Sequence, residues 1–321
     1  MKPIIIGIIA AFFFAFTFVL NATMEASGGS WIWSASLRYL FMIPFLLLIV
    51  LSRRNLKPLL HEMNRNKKAW FVWSFIGFGL FYTPLCFAAA YSSGWLIAGA
   101  WQITIIAGTL LAPLFLITIH TKEGVFQLRG KIPMKGLMIS FIILAGVSLM
   151  QLEHIAIVST ATLWFGFIPV LLAAFAYPLG NRKMMEICDG RLDAYQRVLG
   201  MTLASLPFWL LLSLLGLFTV GGPSASQSLQ TLIVAISSGV IATVLFFKAT
   251  DLVRGNMQML GVVEATQSME VLFALAGEIL FLSIALPSGL SLIGILIVMG
   301  GMILHSQNSN KTKKRVMQLN A

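Results

Sequence analysis

The chain has 321 residues, of which 58% are hydrophobic and 10% are charged, and its formal net charge is +11. A soluble domain carries about 25% charged residues because water must be met by a polar surface. The composition therefore excludes a soluble enzyme, a secreted disulfide scaffold and a disordered protein, and it predicts a polytopic helical membrane protein.

Apolar stretches recur along the whole chain, separated by short polar breaks, and they lack the two-residue alternation of a membrane β-barrel. Because a backbone inside lipid must satisfy its own polar groups, we predict an all-α fold of ten transmembrane helices. The predicted spans are, in chain order, 4–21, 31–51, 70–91, 96–119, 136–152, 160–180, 198–219, 229–249, 257–277 and 286–305.

The basic residues predict the orientation of these spans. Of the 22 Lys and Arg residues, 20 fall in one alternate set of loops and at the two ends, and the opposite loops contain none. Cytoplasmic loops carry the excess of basic residues, so we expect both termini to be cytoplasmic in a multi-pass protein of the cell membrane. The charge of +11 then reflects contact with anionic lipid headgroups, and nucleic-acid binding is not expected.

Ten spans divide into two repeats of five, at 1–152 and 160–306, followed by a basic tail at 307–321. Five is odd, so the second repeat enters the membrane from the opposite side. Many secondary transporters use this inverted arrangement and bind substrate near the midplane between the repeats. Residues 100–104 (AWQIT) and 263–267 (VEATQ) are weakly similar at an offset of about 162.

Several short motifs occur in the order and spacing of a known family. The chain resembles the ten-helix drug/metabolite transporter superfamily of EamA-like type and, within it, the multidrug-resistance efflux transporters. The resemblance implies a ten-helix carrier that exports drug-like or metabolite compounds. The residues that carry it are Arg38-Tyr39, Ala112-Pro113, the run 173–183 (AAFAYPLGNRK) and Ala276-Gly277-Glu278, with Lys122-Glu123 as a degenerate counterpart of the last.

Small four-helix members of the superfamily use a glutamate in their first helix. The first span of this chain has no glutamate before Glu25, so that mechanism cannot be carried over directly.

Ionisable side chains at bilayer depth are costly and usually face a bundle interior or a cavity. Four qualify by position, namely Arg38, Lys248, Glu264 and Glu270. The two glutamates lie on either side of the middle of the ninth span, about 9 Å apart along the helix axis. Either could take up and release a proton at a substrate site. The alternative is a structural glutamate that is hydrogen-bonded or paired with Arg38 or Lys248.

Three neutral side chains complete the predicted site. Gln267 shares a helix face with Glu264 through its spacing of three residues. Trp101 and Gln102 occupy the position in the fourth span that is symmetric to Glu264, where an indole could line a cavity for a flat or cationic molecule. The alternative for Trp101 is an interfacial or lipid-facing side chain. Arg38 could hold an anionic substrate group or pair with a glutamate.

The sequence thus predicts a secondary-active exporter of small organic solutes, driven by protons, with no cofactor and no metal. Its predicted partners are the solute, protons and the lipid bilayer, and the oligomeric state is left open. One alternative is a metabolite or anion exchanger in which Arg38 and Lys248 bind the anion. The other is a membrane-embedded enzyme acting on lipids, which would need clustered His, Asp, Glu or Cys near one interface. The sequence contains no such cluster.

Overall fold

The computed structural model of the chain describes residues 1–92, 94–121, 124–152, 160, 162–282 and 289–319. Three features discussed above lie outside these residues: the Lys122-Glu123 motif, the linker 153–159 between the predicted repeats, and the first residues of the predicted tenth span. The side chain of Glu278 is also outside the described part.

The first half of the chain is helical except for one antiparallel β-hairpin, in which Leu116 pairs with Arg129 and Thr121 with Gly124. Its elements are α1 (Lys2–Ala26), α2 (Trp31–Ser52), α3 (Leu56–Arg65), α4 (Lys67–Ala89), α5 (Gly94–Trp101), α6 (Ile103–Leu110), β1 (Leu116–Thr121), β2 (Gly124–Arg129) and α7 (Met134–Leu152).

In the described part of the second half, helices joined by short turns are the regular elements. A π-helical turn at Thr162–Phe167 precedes its first α-helix, and a 3₁₀ turn at Thr266–Ser268 joins the fourth to the fifth. These helices are α8 (Ile168–Cys188), α9 (Ala194–Thr219), α10 (Ala225–Asp251), α11 (Met257–Ala265), α12 (Met269–Leu282) and α13 (Gly289–Leu319).

Within the described residues, seven helices are long and apolar enough to cross a membrane. Three shorter apolar helices, Ile97–Leu110, Met134–Met150 and Gly289–His305, occupy the remaining predicted spans. The helical membrane fold is therefore confirmed, and the number of ten spans stays a prediction.

The hairpin differs from the expectation of helices alone. The predicted span 96–119 stops being helical at Leu110, and a 3₁₀ turn at Ala112–Leu114 leads into β1. Pro113 lacks a backbone N–H and so weakens the helix at this point, although α2 and α9 continue through Pro44 and Pro207. The residues that follow are rich in Ile and Thr, which favour extended backbone.

Two arginines that the sequence assigns to a loop lie inside helices instead. Helix α8 continues to Cys188 and α9 already begins at Ala194, so Arg182 and Arg197 are helical, and each is only 1% exposed. The side chain of Asp193 caps the first turn of α9 in a reciprocal capping box with Gln196. The predicted boundaries were wrong here because a buried arginine with an acidic partner does not end a helix.

Helices α4 and α8 cross at direct backbone contact. A Cβ atom placed on Gly180 would lie 2.2 Å from the Cα of Gly77, so no other residue fits at this crossing. Small residues allow membrane helices to approach this closely. The crossing brings both helices against the centre of the bundle, where each contributes side chains to a cavity.

Four ion pairs gather at one end of the bundle, which we call the basic end. Arg191 donates two hydrogen bonds to the Glu62 carboxylate at 2.7 and 2.9 Å. The other three pairs are Arg53 with Asp193 at 3.4 Å, Arg254 with Asp189 at 3.7 Å, and Arg197 with Asp251. These pairs connect α2, α3 and α10 to the turn between α8 and α9.

The Glu62–Arg191 pair predicts a pH-dependent contribution to stability. The hydrogen bonds from Arg191 lower the pKa of Glu62 below its ordinary value of 4.5. The stabilisation is therefore present above pH 4.5 and is lost as the pH falls through the lowered pKa. We expect Glu62→Gln to lower the melting temperature by about 1–3 °C at pH 7, the size typical of a partly exposed pair.

Thermal unfolding in detergent between pH 7 and pH 3 tests this prediction. Glu186→Gln, which alters the more exposed pair with Lys183, is the matched control. A deficit of Glu62→Gln that stays constant down to pH 3 would contradict the assigned role of the carboxylate.

Candidate functional site

A small cavity lies at the centre of the bundle, between helices of the two predicted repeats. Its free volume is about 10 Å³, which is room for about one water molecule. We call it the central cavity, and it is lined by Phe14, Thr17, Phe18, Arg38, Phe81, Leu85, Trp101, Tyr177, Ser238, Gln267 and Glu270.

Arg38 brings a buried cation to this cavity. Its Nη2 donates to the Ser238 hydroxyl at 3.0 Å, and its guanidinium lies 4.0 Å from the centroid of the Tyr82 ring. Its Nε and Nη1 atoms have no hydrogen-bond partner among the residues that the structure describes. Ring contact compensates part of the desolvation of the guanidinium, and two donors are left for another group.

Glu270 brings a buried anion to the same cavity. The residue is 1% exposed and forms no ion pair within the described part of the chain. The Trp101 side chain hydrogen-bonds to its carboxylate, and Oε1 has no partner in the described ranges. The hydroxyl of Tyr177, on the same cavity wall, is likewise unpartnered there. Leaving buried polar groups without partners is costly, so such groups usually await a ligand, a proton or water.

Five of the residues that line the central cavity are aromatic. The rings of Phe81 and Tyr177 lie 4.6 Å apart, and those of Phe81 and Trp101 lie 5.1 Å apart. The cavity therefore combines one cation, one anion and flat apolar faces. Such a lining suits a small organic molecule that carries a charged group.

The structure brings four of the six predicted site residues together, Arg38, Trp101, Gln267 and Glu270. Gln102 lies outside the lining, because its side chain turns back along its own helix and donates to the Ala98 carbonyl at 3.1 Å.

Glu264 is buried but does not face the central cavity. Its carboxylate accepts two hydrogen bonds from Arg182, from Nε at 2.8 Å and from Nη2 at 2.7 Å. The side chains of Arg182 and Glu264 are 1% and 2% exposed. The carboxylate also occupies the space above Gly108, where an added Cβ would lie 2.0 Å from Oε2. Glu264 is therefore paired with an arginine, as in the structural alternative, but the partner is Arg182 and neither Arg38 nor Lys248.

The remaining predicted intramembrane cation, Lys248, is exposed near the end of α10. Its long side chain is placed where a lysine can reach the membrane interface. It takes no part in the central cavity.

A second, larger cavity opens at the basic end of the bundle. It has a volume of about 430 Å³, and we call it the basic vestibule. Its lining residues are Phe115, Leu116, Arg182, Met185, Glu186, Ile187, Asp189, Arg191, Arg254, Gly255, Met257 and Leu260.

Sequence reasoning missed Arg182, Tyr177 and Ser238. A signal for Arg182 was present, since apolar residues resume after Lys183 with Met184 and Met185 and favour a longer helix. Ser238 gave no such signal, because a hydroxyl inside an apolar span is ordinary. Its role depends on the approach of α10 to Arg38.

Comparison with protein families places these features in a known group. A family model named EmrE and described as "Putative multidrug resistance efflux transporter" matches residues 1–311. The match covers both predicted repeats and therefore concerns nearly the whole chain.

Two similar proteins come from bacteria. "Uncharacterized protein YjlA" of Bacillus subtilis (strain 168) is 58% identical over 315 residues, which are 98% of this chain and 97% of that protein. "Uncharacterized 42.1 kDa protein in intracellular alkaline protease 3'region" of Shouchella clausii is 51% identical over 270 residues, covering 84% of this chain and 70% of that protein.

A solved structure described as "Crystal structure of protein" shares the fold. The TM-score is 0.68 at 12% sequence identity, over 97% of this chain and 98% of the other. At this identity the likeness concerns the fold alone.

The contact between Gly108 and Glu264 predicts a large effect from one added methyl group. We expect Gly108→Ala to lower the melting temperature by about 3–10 °C, because the methyl group must displace a carboxylate that Arg182 holds in place. The matched control is Gly300→Ala, since a Cβ at Gly300 meets nothing within 4 Å. Equal melting temperatures for the two variants in detergent would show that the carboxylate can move without cost.

Proposed function

This chain belongs to the EmrE family of multidrug resistance efflux transporters, and from that premise we propose that it exports small organic solutes across the cell membrane in exchange for protons. The observation that carries the proposal is the central cavity, in which polar atoms of Glu270 and Arg38, without partners among the described residues, lie among aromatic rings. Family membership favours transport over the alternative of an enzyme acting on lipids.

We propose that the protein crosses the membrane ten times as two inverted repeats of five helices, 1–152 and 160–306, with the tail 307–321 and the N-terminus in the cytoplasm. An exchange of the repeats would replace α1 by α8, α4 by α10 and the α5–α6 span by the α11–α12 span. The helix contacts support this exchange. Helix α1 packs on α10 and α12, and α8 packs correspondingly on α4 and α6.

The exchange of the repeats also replaces α2 by α9 and α7 by α13. In each of these two pairs, the exchanged helices contact each other. A further similarity lies in the third helix of each repeat. Both contain a π-helical segment, Phe75–Gly79 in α4 and Ala235–Ala242 in α10, and π segments are frequent at functional sites.

Glu270 is the carboxylate that we propose to carry the proton. Glu264 satisfies its charge with Arg182, whereas Glu270 faces the cavity and has no ion-pair partner among the described residues. A carboxylate in this position can hold either a proton or the positive group of a solute, but not both at once. This competition couples the movement of protons to the movement of the solute. Gln267, one helical turn away on the same cavity wall, would help to orient the solute.

The small volume of the central cavity implies movement during transport. Room for about one water molecule is far below the roughly 300–1,000 Å³ of ordinary ligand pockets. A solute therefore enters only after helices of the two repeats separate. We propose that this separation alternates between the two sides of the membrane, as in other inverted-repeat carriers.

A second candidate function is exchange of organic anions. It is favoured by Arg38, because its Nε and Nη1 atoms, which have no partner in the described part of the chain, could bind a carboxylate or phosphate group in the same cavity. The charge of the transported solute distinguishes the two candidates.

Transport by purified protein in proteoliposomes tests the role of Glu270. The solutes are an aromatic cation (ethidium), an aromatic anion (salicylate) and an aromatic zwitterion (tryptophan), each with and without an imposed pH gradient. We expect Glu270→Gln to reduce gradient-driven transport at least tenfold, because a neutral amide cannot exchange a proton. Glu62→Gln, at a residue that lines neither cavity, should transport normally.

Unchanged gradient-driven transport by Glu270→Gln would refute proton coupling through this residue. Transport of salicylate that depends on Arg38, and that is insensitive to Glu270→Gln, would favour the anion exchanger.

Labelling of single cysteines in intact cells tests the proposed topology. In a Cys86→Ala/Cys188→Ala background, we expect an impermeant thiol reagent to reach Ser27→Cys and Gly222→Cys, one in each repeat, from outside. Lys57→Cys should react only after the cells are opened. Labelling of Ser27→Cys and Gly222→Cys from opposite sides would contradict the ten-span arrangement.

A further inference from the structure

Three segments of the chain each line both the central cavity and the basic vestibule. Along α8, Tyr177 lines the central cavity and Met185 lines the vestibule, with Arg182 between them. Along α11 and the 3₁₀ turn that follows it, Leu260 lines the vestibule and Gln267 lines the central cavity, with Glu264 between them. The ion pair therefore joins the two helices at the level that divides the cavities.

The span formed by α5 and α6 passes the same three levels. Trp101 lines the central cavity, Phe115 lines the vestibule, and Gly108 lies between them against the Glu264 carboxylate. The absence of a side chain at Gly108 leaves the space that the carboxylate fills. Three segments thus meet at the pair, and their backbones and these two side chains close the passage.

We propose that Arg182 and Glu264 form the gate between the basic vestibule and the central cavity, and that a solute enters from the vestibule when this pair separates. The proposal rests on the proposed function, because it takes the central cavity as the transport site. A passage between α8 and α11 cannot open while both hydrogen bonds of the pair connect these helices.

The surroundings of Arg182 suit a contact that opens and closes. Arg182 lines the 430 Å³ vestibule, so its guanidinium can be hydrated there once it leaves the carboxylate. It also has an aromatic neighbour on that side, since its guanidinium lies 5.6 Å from the centroid of the Phe115 ring. A two-state contact needs a stable arrangement in both states, and the vestibule provides the second one.

A cysteine in the central cavity reports whether the gate is open. The reporter is Thr17→Cys in the Cys86→Ala/Cys188→Ala background, in inside-out and right-side-out membrane vesicles, with an impermeant methanethiosulfonate reagent as probe. We expect Arg182→Gln and Glu264→Gln each to raise the labelling rate at least tenfold from the vestibule side, and not from the opposite side. The charge-reversed double variant, Arg182→Glu with Glu264→Arg, should return the rate toward that of the parent.

A matched control comes from the second buried carboxylate at the basic end. Arg191 also lines the vestibule and also forms two hydrogen bonds with a carboxylate, but its partner Glu62 lies on α3 and the pair does not cross the wall. Arg191→Gln should leave the labelling of Thr17→Cys unchanged. The Cys86→Ala/Cys188→Ala protein without Thr17→Cys gives the background rate of labelling.

Folding and gating are separated by measuring melting temperatures of the same variants. A purely structural pair would lower the melting temperature without a side-specific gain of labelling. Variants that keep their fold but label like the parent, or that label faster from both sides, would overturn the gate.

The labelling needs no transported solute, so its outcome is independent of the Glu270→Gln experiment. If the labelling shows no gate but proton coupling through Glu270 is intact, only this inference is refuted. Absence of transport for every probe, with side-specific labelling retained, refutes only the proposed function.

Discussion

The cost of an unpaired charge in an apolar interior is the constraint on which this structure depends. The bundle surrounds its charged side chains with hydrocarbon, and each buried charge must find a partner, a ring face or a cavity. Arg182 and Glu264 satisfy each other, Arg197 is joined to Asp251, and Arg38 rests on the Tyr82 ring. Each of these contacts joins residues that are distant in the sequence.

The same constraint is met differently at two buried glutamates. Glu264 and Glu270 are equally buried and lie on one continuous run of helical turns, yet their surroundings differ. The first accepts two hydrogen bonds from Arg182. The second meets an indole, and its Oε1 atom has no hydrogen-bond partner among the described residues. A carboxylate whose requirements are only half met is suited to exchange its partner during a transport cycle.

Two irregular segments of the helices contribute to the central cavity. The 3₁₀ turn at Thr266–Ser268 and the π segment of α10 both contribute a side chain to the central cavity, Gln267 and Ser238. Such turns alter which face a helix presents without breaking the chain. Irregular helical segments of this kind are frequent at functional sites.

The sequence by itself determined that the protein is a membrane protein, that its fold is helical, and which family it belongs to. The length of apolar stretches and the order of short motifs can both be read along the chain. The sequence also identified four of the eleven residues that line the central cavity, Arg38, Trp101, Gln267 and Glu270, since a polar group inside a span is visible in one dimension. Only the tertiary structure decided that Glu264 pairs with Arg182, that Gln102 turns away, and that the fourth span gives way to a hairpin after Pro113. Those outcomes depend on which helices approach each other and on the space left at a residue such as Gly108. No pattern along a single chain carries that information, because the partners are distant in sequence.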